Sequence, residues 1–345
     1  MDHSEMSAVL ATDRLLLRPL RASDAPAIAE GIGDWEVARW LPRLPWPYAV
    51  KDAEDFMRDP VSIGAWLIEI AGEVAGMVHI GVTGELGYWL ARAFHGHGYM
   101  TEAAGALVAQ HFAFGGGDLI SGYLLGNGPS CNVLTKLGFS NTHIERKPSR
   151  PLNAEVDVQR MVLTASDWAA RHPLVIDTAR LRLRPFTHAD VAALSAMGVP
   201  EVARMMTSIG APWPVADVLN WIGKGRWRGC PGFRLALCLK DGTLIGGVGL
   251  GGEPMTCAYF LGPADWGKGY ATEAMRGLLA DAFTRFGLDE ITADAFDDNP
   301  ASQAVLRKLG FTPFGSQMGS SKARLEPAPI TLYRLTKAAF KAANP

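Results

Sequence analysis

Short stretches in which apolar and polar positions alternate punctuate this chain, and they do so twice in the same order. Leucine-rich alternation over residues 14–18 predicts a strand, and the pattern returns over 180–184. A helix follows each, with Ser23-Asp24 and Thr187-His188 as candidate caps. A second short helix follows each of the pairs Trp46-Pro47 and Trp213-Pro214. Three closely spaced strand patterns come next, at 66–70, 74–82 and 86–90, and again at 233–239, 244–250 and 258–261. Ala71-Gly72-Glu73 and Asp241-Gly242-Thr243 read as hairpin turns. Long helical patterns cover 99–114 and 270–286. A strand follows each (119–124; 291–296), then a short helix ending in Leu-Gly-Phe. Two strands close each half, near 142–144 with 156–163, and near 312–315 with 330–335. The fold class is α/β (α+β): a mixed, largely antiparallel sheet flanked by helices.

The two halves also match in sequence. TDRLLLRPL (12–20) returns as TARLRLRPF (178–186), and EVARW (36–40) as EVARM (201–205). TEAAGAL (101–107) returns as TEAMRGL (272–278), and KLGF (136–139) as KLGF (308–311). The period is too long for a solenoid, so the chain reads as two copies of one domain. The junction lies near Arg171-His172-Pro173, giving domains 1–170 and 174–345 that fold as separate cores with an interface of their own. The length of 345 residues suits two ordinary domains. Hydrophobic content of 48% against 20% charged residues fits a globular protein. A net charge of −2 without a basic block argues against nucleic acid as the main partner. Cys131, Cys230, Cys238 and Cys257 form no CxxC pair, and read as reduced core thiols of a cytosolic protein. The polar N-terminus has no signal-peptide core, and no run of about 18 apolar residues would span a membrane.

The chemistry concentrates in WGKGYATE, Trp266 to Glu273, and its earlier counterpart HGHGYMTE, His95 to Glu102. Two glycines two apart, just ahead of a helix, leave backbone N–H groups facing an anion, and the helix N-terminus adds its own. A glycine turn into a helix is also common without any ligand. A dinucleotide fingerprint needs a third small residue where Thr272 and Thr101 stand, and the strands before the loop are hairpins. A P-loop needs Gly-Lys-Ser/Thr, which Gly267-Lys268-Gly269 does not supply. What remains is a loop for a phosphate-bearing ligand outside those two folds. His95 and His97 have no third ligand near them in sequence, so no metal is expected.

Four features together resemble the GNAT superfamily of N-acetyltransferases, in a tandem form similar to the ribosomal-protein N-terminal acetyltransferase branch. They are the opening RLxLRPx, the strand ELGYWL (85–90), the loop WGKGYATEA (266–274) and NPASQAVLRKLGF (299–311). The resemblance covers the chain twice and implies acetyl-CoA as co-substrate. Its pyrophosphate would lie on the loop: Trp266, Gly267, Lys268, Gly269, Tyr270, Ala271 and Thr272 in the second copy, Gly96, Gly98 and Tyr99 in the first. A splayed strand pair would receive the pantetheine arm like an added strand. A strand-edge N–H near Tyr259-Phe260, or Tyr88-Trp89, would polarise the thioester carbonyl. The family loop R/Q-x-x-G-x-G/A is met as Trp266-x-x-Gly269-x-Ala271 and His95-x-x-Gly98-x-Met100. Both lack the initial Arg or Gln. Met100 also sets a bulky side chain where the backbone must approach phosphate, and His97 stands where the second copy has Lys268.

Asn299-Pro300-Ala301-Ser302 aligns with Asn127-Gly128-Pro129-Ser130. By position the asparagines read as helix caps. The resemblance adds that Asn299 and Asn127 contact CoA, and that Ser302 and Ser130 protonate the leaving thiolate. Cys131 beside Ser130 looks like a nucleophile, but direct transfer needs none. Glu85 is either a solvated strand-end charge or the base that takes the ammonium proton. The second copy has Thr256 there and Glu253 slightly earlier; Glu145 is the nearest carboxylate after the first Leu-Gly-Phe helix. Trp35, Trp40, Trp46, Trp213, Trp221 and Trp227 either line an acceptor cleft or pack in cores and interfaces. The expected function is transfer of acetyl from acetyl-CoA to a primary amine, of a small molecule or a peptide N-terminus. The alternative is an acyl-CoA-binding module with one or both domains inactive. The expected setting is cytoplasmic, without metal, nucleic acid or membrane, and with a homodimer left open. The second copy is expected to bind acetyl-CoA more tightly and carry the chemistry, helped by Ala271, Lys268 and the pre-set Asn299-Pro300 start.

Overall fold

Alternation along the early strands produces antiparallel hairpins in both halves. The computed structural model describes residues 9–344. The chain divides into two compact units, the first ending at Arg171 and the second starting at His172. The first unit runs β1 (Leu10–Ala11), β2 (Leu16–Pro19), α1 (Ala25–Ile32), α2 (Trp35–Ala38), α3 (Val50–Arg58), β3 (Ala65–Ile70), β4 (Glu73–Ile80) and β5 (Leu86–Leu90). It continues with α4 (Tyr99–Ala113), β6 (Leu119–Leu124), α5 (Gly128–Leu137), β7 (Ser140–Ser149), β8 (Ala154–Leu163) and α6 (Ala165–Arg171).

The second unit repeats the plan. Its elements are β9 (Ile176–Asp177), β10 (Leu181–Pro185), α7 (Val191–Ala196), α8 (Pro200–Ala203), α9 (Val215–Lys224), β11 (Phe233–Leu239), β12 (Leu244–Gly251) and β13 (Thr256–Leu261). Then come α10 (Tyr270–Arg285), β14 (Glu290–Phe296), α11 (Pro300–Lys308), β15 (Thr312–Gly319), β16 (Ala328–Thr336) and α12 (Lys337–Ala343). Strands β7, β8, β15 and β16 outrun their sequence patterns. β7 and β15 are exposed along most of their length, so no buried face marks them in the sequence.

The sheet opens between its fifth and sixth strands. In the first unit β1-β2-β3-β4-β5 form one antiparallel sheet and β6-β8-β7 another, and a single parallel bridge, Glu85 with Ile120, joins them. In the second unit β13 and β14 are neighbours in one eight-stranded sheet, yet they too share one parallel register pair, Thr256 with Thr292. Beyond that contact the parallel strands separate. Helix α4 (α10) makes the crossover between them.

Each unit buries two faces. Leu86 and Leu90 of β5 pack with Ala103, Leu107, Phe112 and Leu134 beneath α4 and α5. Trp89, on the opposite face of β5, packs with Ile28, Ile32 and Ala53 of α1 and α3. In the second unit Phe260 packs with Leu194, Trp213 and Trp221 on the α7–α9 side. Trp213, Trp221 and Trp227 are therefore core residues, whereas Trp35 and Trp46 remain exposed with ring centroids 5.1 Å apart. The cysteines divide: all four are free thiols, but only Cys238 and Cys257 belong to the core, while Cys131 and Cys230 are partly exposed.

The candidate caps act differently from expectation. Asp24 gives α1 no side-chain cap; its carboxylate accepts from both guanidinium arms of the buried Arg18, each at 2.8 Å, and from the Arg21 N–H. Thr187 donates both its N–H and its hydroxyl to Asp190, which likewise holds Arg184. The repeated Leu-Arg-Pro therefore ties the second strand to the helix that follows it.

Candidate functional site

The glycine loop lies at the end of β5 and of β13, where the sheet has already opened. Gly98 and Gly269 are the N-caps of α4 and α10, with φ of 79° in both, and Gly96 and Gly267 have φ of 81° and 74°. A Cβ at Gly96 or Gly267 would meet nothing within 4 Å. The glycines are thus required by backbone conformation and not by lack of room for a side chain. Those amides and the first turn of a 15- or 16-residue helix fit a pyrophosphate. Trp266 Nε1 donates to the Leu261 carbonyl at 2.9 Å, and His95 Nε2 lies 2.9 Å from the Leu90 carbonyl. These side chains pin the loop to the strand end. Among the described residues no cluster of ligands suits a metal.

A clamp holds each loop from behind, and the sequence reading missed it. In the second unit Glu273 accepts from the Thr178 hydroxyl and from the N–H and Nε of Arg180, each at 2.7 Å. Arg180 also donates to the Lys268 carbonyl at 3.1 Å and lies 4.7 Å over the Tyr270 ring. Thr12, Arg14, Glu102, His97 and Tyr99 repeat this arrangement in the first unit. Burial pushes the Glu273 carboxyl up, but donors from Thr178 and Arg180 outweigh it and hold its pKa below the usual range. The signal was present in the Thr-x-Arg and Tyr-x-Thr-Glu of both copies; only the fold brings them together.

The serine positions lie at the splay. Asn127 and Asn299 cap α5 and α11 by accepting from the Ser130 and Ser302 N–H groups, at 3.1 and 3.0 Å. The Ser130 hydroxyl is 2.9 Å from the Tyr88 phenol oxygen, and that of Ser302 is 2.8 Å from Tyr259. Burial pushes Tyr88 up to about 12 against the opposing hydrogen bond from Ser130, and raises Tyr259 in the same way. Both phenols stay protonated at neutral pH, so each serine hydroxyl shares a hydrogen bond with a neutral phenol. The Met255 carbonyl accepts from the Thr292 N–H across the last contact of β13 and β14. Backbone direction alternates along a strand. Tyr259 accordingly turns its backbone groups into the gap, while Phe260 turns toward β12 and buries its ring. Tyr88 and Trp89 divide in the same way.

Two expectations about the loop need correction. Met100 is buried in the core with Leu107 and Leu134 and does not crowd the glycines, because the second helical position points its side chain inward. Lys268 does not bring a free charge: its ammonium pairs with Asp265 at 2.9 Å. Both loops also carry a half-exposed arginine, Arg14 or Arg180, itself paired with Glu102 or Glu273.

The carboxylates separate the units more sharply. Glu85 is bound by Arg160 at 2.9 Å and approached by Arg43 at 3.4 Å. Burial raises its pKa, but the Arg160 hydrogen bond and the charges of Arg43, Arg160 and Lys147 prevail, so the carboxyl is held down. Glu145 joins this cluster through Arg160 and Lys147. His79 of β4 faces the same side, but its Nε2 is sealed from solvent without a partner, and burial lowers its pKa. In the second unit Thr256 replaces Glu85 and bonds the Thr292 hydroxyl at 2.8 Å. Asp294 lies two residues further along β14 and was missed in the sequence, where one acidic residue among several carries no distinguishing pattern.

Comparison with known protein families matches the chain twice. The profile of the acetyltransferase (GNAT) domain matches residues 14–140 and again 180–312. A protein of Aspergillus fumigatus named FsC-acetyl coenzyme A-N(2)-transacetylase is 28% identical over 153 residues, which are 40% of this chain and 64% of that protein. The uncharacterized N-acetyltransferase YjdG of Bacillus subtilis is 27% identical over 150 residues, 40% of this chain and 89% of its own. Among solved structures, a GNAT-family acetyltransferase from Bacillus anthracis aligns at 22% identity and a TM-score of 0.42, covering 48% of this chain and 99% of its own. Mycobacterium smegmatis RimJ in complex with CoA-disulfide aligns at 24% identity and 0.41, covering 48% and 86%.

Proposed function

The chain belongs to the GNAT acetyltransferase family in both of its halves, and we propose that it transfers an acetyl group from acetyl-CoA to a primary amine, with the second unit carrying the reaction. The observation that carries this reading is the Tyr259–Ser302 pair, set at the opening of the sheet one loop away from the glycine amides. The amides of Gly267 to Tyr270 and the start of α10 hold the pyrophosphate, and the Arg180–Glu273 clamp keeps them in place. The pantetheine arm enters the gap beside β13. The Tyr259 N–H polarises the thioester carbonyl, and the Ser302 hydroxyl protonates the departing sulfur, with Tyr259 behind it as a second donor. The name of the Aspergillus relative supports a nitrogen acceptor; a small amine and a peptide N-terminus both fit the reading. No helix among the described residues is long and apolar enough to cross a membrane, and we place the protein in the cytoplasm.

One observation favours a second role for the first unit. Its acceptor-side carboxylate Glu85 is already neutralised by Arg160 and Arg43. We read this unit as an acyl-CoA-binding module that turns over weakly or not at all. The test is CoA release by the full chain against a panel of primary amines, together with calorimetric counting of acetyl-CoA sites. Two sites with one active unit is the expected outcome. A chain that binds acetyl-CoA but releases no CoA with any amine would leave only the binding reading.

A further inference from the structure

The two units place their acceptor-side carboxylate on different strands. Thr256 and Glu85 occupy the same place, each making the last contact across the splay, with Thr292 and Ile120 respectively. Two residues further along the outer strand the first unit has Gly122, paired with Arg160, and the second has Asp294, paired with Leu332. The carboxylate has moved from β5 to β14, and the arginine that neutralises it has been replaced by leucine.

Asp294 shares a strand face with Thr292 and Phe296, which are buried while Asp294 itself is exposed; Ile291, Ala293 and Ala295 face the other side. Thr292 meets Thr256 by their hydroxyls, so this face continues that of Thr256, Ala258 and Phe260, the α7–α9 side. Tyr259 and Ser302 lie on the opposite face. The thioester site and Asp294 thus flank the gap from its two sides. Among the described residues no hydrogen bond or ion pair engages the Asp294 carboxylate. The charged groups around it are accounted for. Arg324 lies 4.2 Å over the Phe296 ring, but it is committed to Asp298 at 2.7 Å and to the Arg204 carbonyl at 3.0 Å. Arg204 binds Asp298 as well. Arg334, paired with Thr292, and Glu290 at the start of β14 share this face, but neither forms a hydrogen bond or ion pair with Asp294. Arg234 of β11 is turned to Trp221, and Cys257 lies on the far face of β13. Solvent still reaches Asp294, but the protein packed around it desolvates the carboxyl and pushes it above its ordinary range.

We propose that Asp294 receives the acceptor amine in the second unit, holding its ammonium at the splay and accepting the proton that must leave before attack. The inference rests on the reading of the second unit as a transferase. One ammonium proton passes to Asp294 and on to solvent. The freed nitrogen lone pair forms the bond to the acetyl carbon, the C–S bond breaks with its electron pair on sulfur, and the second proton lost from nitrogen balances the one that sulfur gains from Ser302. The first unit cannot do this, because Arg160 occupies the place the ammonium would take.

The experiment uses the full chain with a primary amine drawn from the panel. Asp294→Asn is expected to lower kcat/KM about 100-fold, to abolish the rise of kcat/KM with pH, and to leave acetyl-CoA affinity unchanged. Leu332→Arg restores the first unit's partner opposite Asp294; it should raise KM for the amine and move that rise to lower pH. Circular dichroism and acetyl-CoA affinity check that both variants are folded. Activity of Asp294→Asn within twofold of the parent, with its pH profile intact, overturns the proposal; so does a Leu332→Arg variant that changes neither KM nor profile. If Ser302→Ala still abolishes turnover in either case, the transferase reading survives alone. No CoA release by the parent chain sinks both.

Discussion

Ser302 and Arg18 define the residue scale, one by what it gives and the other by what it holds. Ser302→Ala should lower CoA release about 100-fold with little change in acetyl-CoA affinity, measured by thiol release and calorimetry. Asn299→Ala should instead cost about 1 kcal/mol of stability through the lost cap and weaken acetyl-CoA binding. Arg18 is 4% exposed and Asp24 5%, so removing one partner strands a buried charge. Arg18→Ala should destabilise the first unit by about 3 kcal/mol, seen in its urea midpoint. Arg184 is more open than Arg18, so Arg184→Ala should cost less. The pair also sets an acid response. Burial pushes Asp24 up, but the hydrogen bonds and charges of Arg18 and Arg21 win and hold its pKa below the unfolded value. Its stabilisation is complete above the unfolded carboxylate range and is lost as pH falls through the folded pKa. Asp24→Asn should flatten that acid limb, and thermal melts across the acidic range would show it.

At the scale of elements, the loop and its clamp behave as one piece. Arg180→Lys keeps the charge but loses the forked contact to Glu273 and the Lys268 carbonyl; about a tenfold loss of acetyl-CoA affinity, or 1.4 kcal/mol, is the expected result. Substitutions at Gly269 separate strain from access. Valine at a φ of 79° should weaken acetyl-CoA binding and also lower the melting temperature. Asparagine tolerates that conformation, so Gly269→Asn should weaken binding alone. Unchanged affinity in both variants removes the loop from the site. Most elements were legible from periodicity, because each early strand and long helix buries one face. Strands β1 and β9 were not, since two residues carry no period, and neither was the length of β7 and β15, which bury no face. The loop glycines, serines and capping asparagines stood out in sequence because their chemistry is local. The clamp and Asp294 did not, because they depend on which strands the fold makes neighbours.

For the whole molecule, duplication has kept one frame and let its charges diverge. The case for the second unit no longer rests on Met100 or Lys268. It rests on Glu85 being bound by arginine while Asp294 is left unengaged. Ser302→Ala with Asn299→Ala in one protein should abolish turnover, and Ser130→Ala with Asn127→Ala in another should leave most of it. The reverse result would return the reaction to the first unit and to Glu85. A fragment of residues 174–345 should be soluble and retain CoA release; an insoluble fragment beside a stable full chain would mean that the units depend on each other. The sheet opening has a further consequence. An unpaired strand border exposed at the rim of a sheet invites pairing with other chains, and proteins shield such borders with charge, proline or bulges. In the second unit the borders of β13 and β14 are unpaired beyond Thr256 and Thr292, but each faces the other inside the sheet. The slot between them is bounded on both sides by strands of the same sheet. It admits a slender chain and turns away another protein's edge, so the domain keeps an open hydrogen-bonding ladder for its ligand without offering a seed for intermolecular sheet growth.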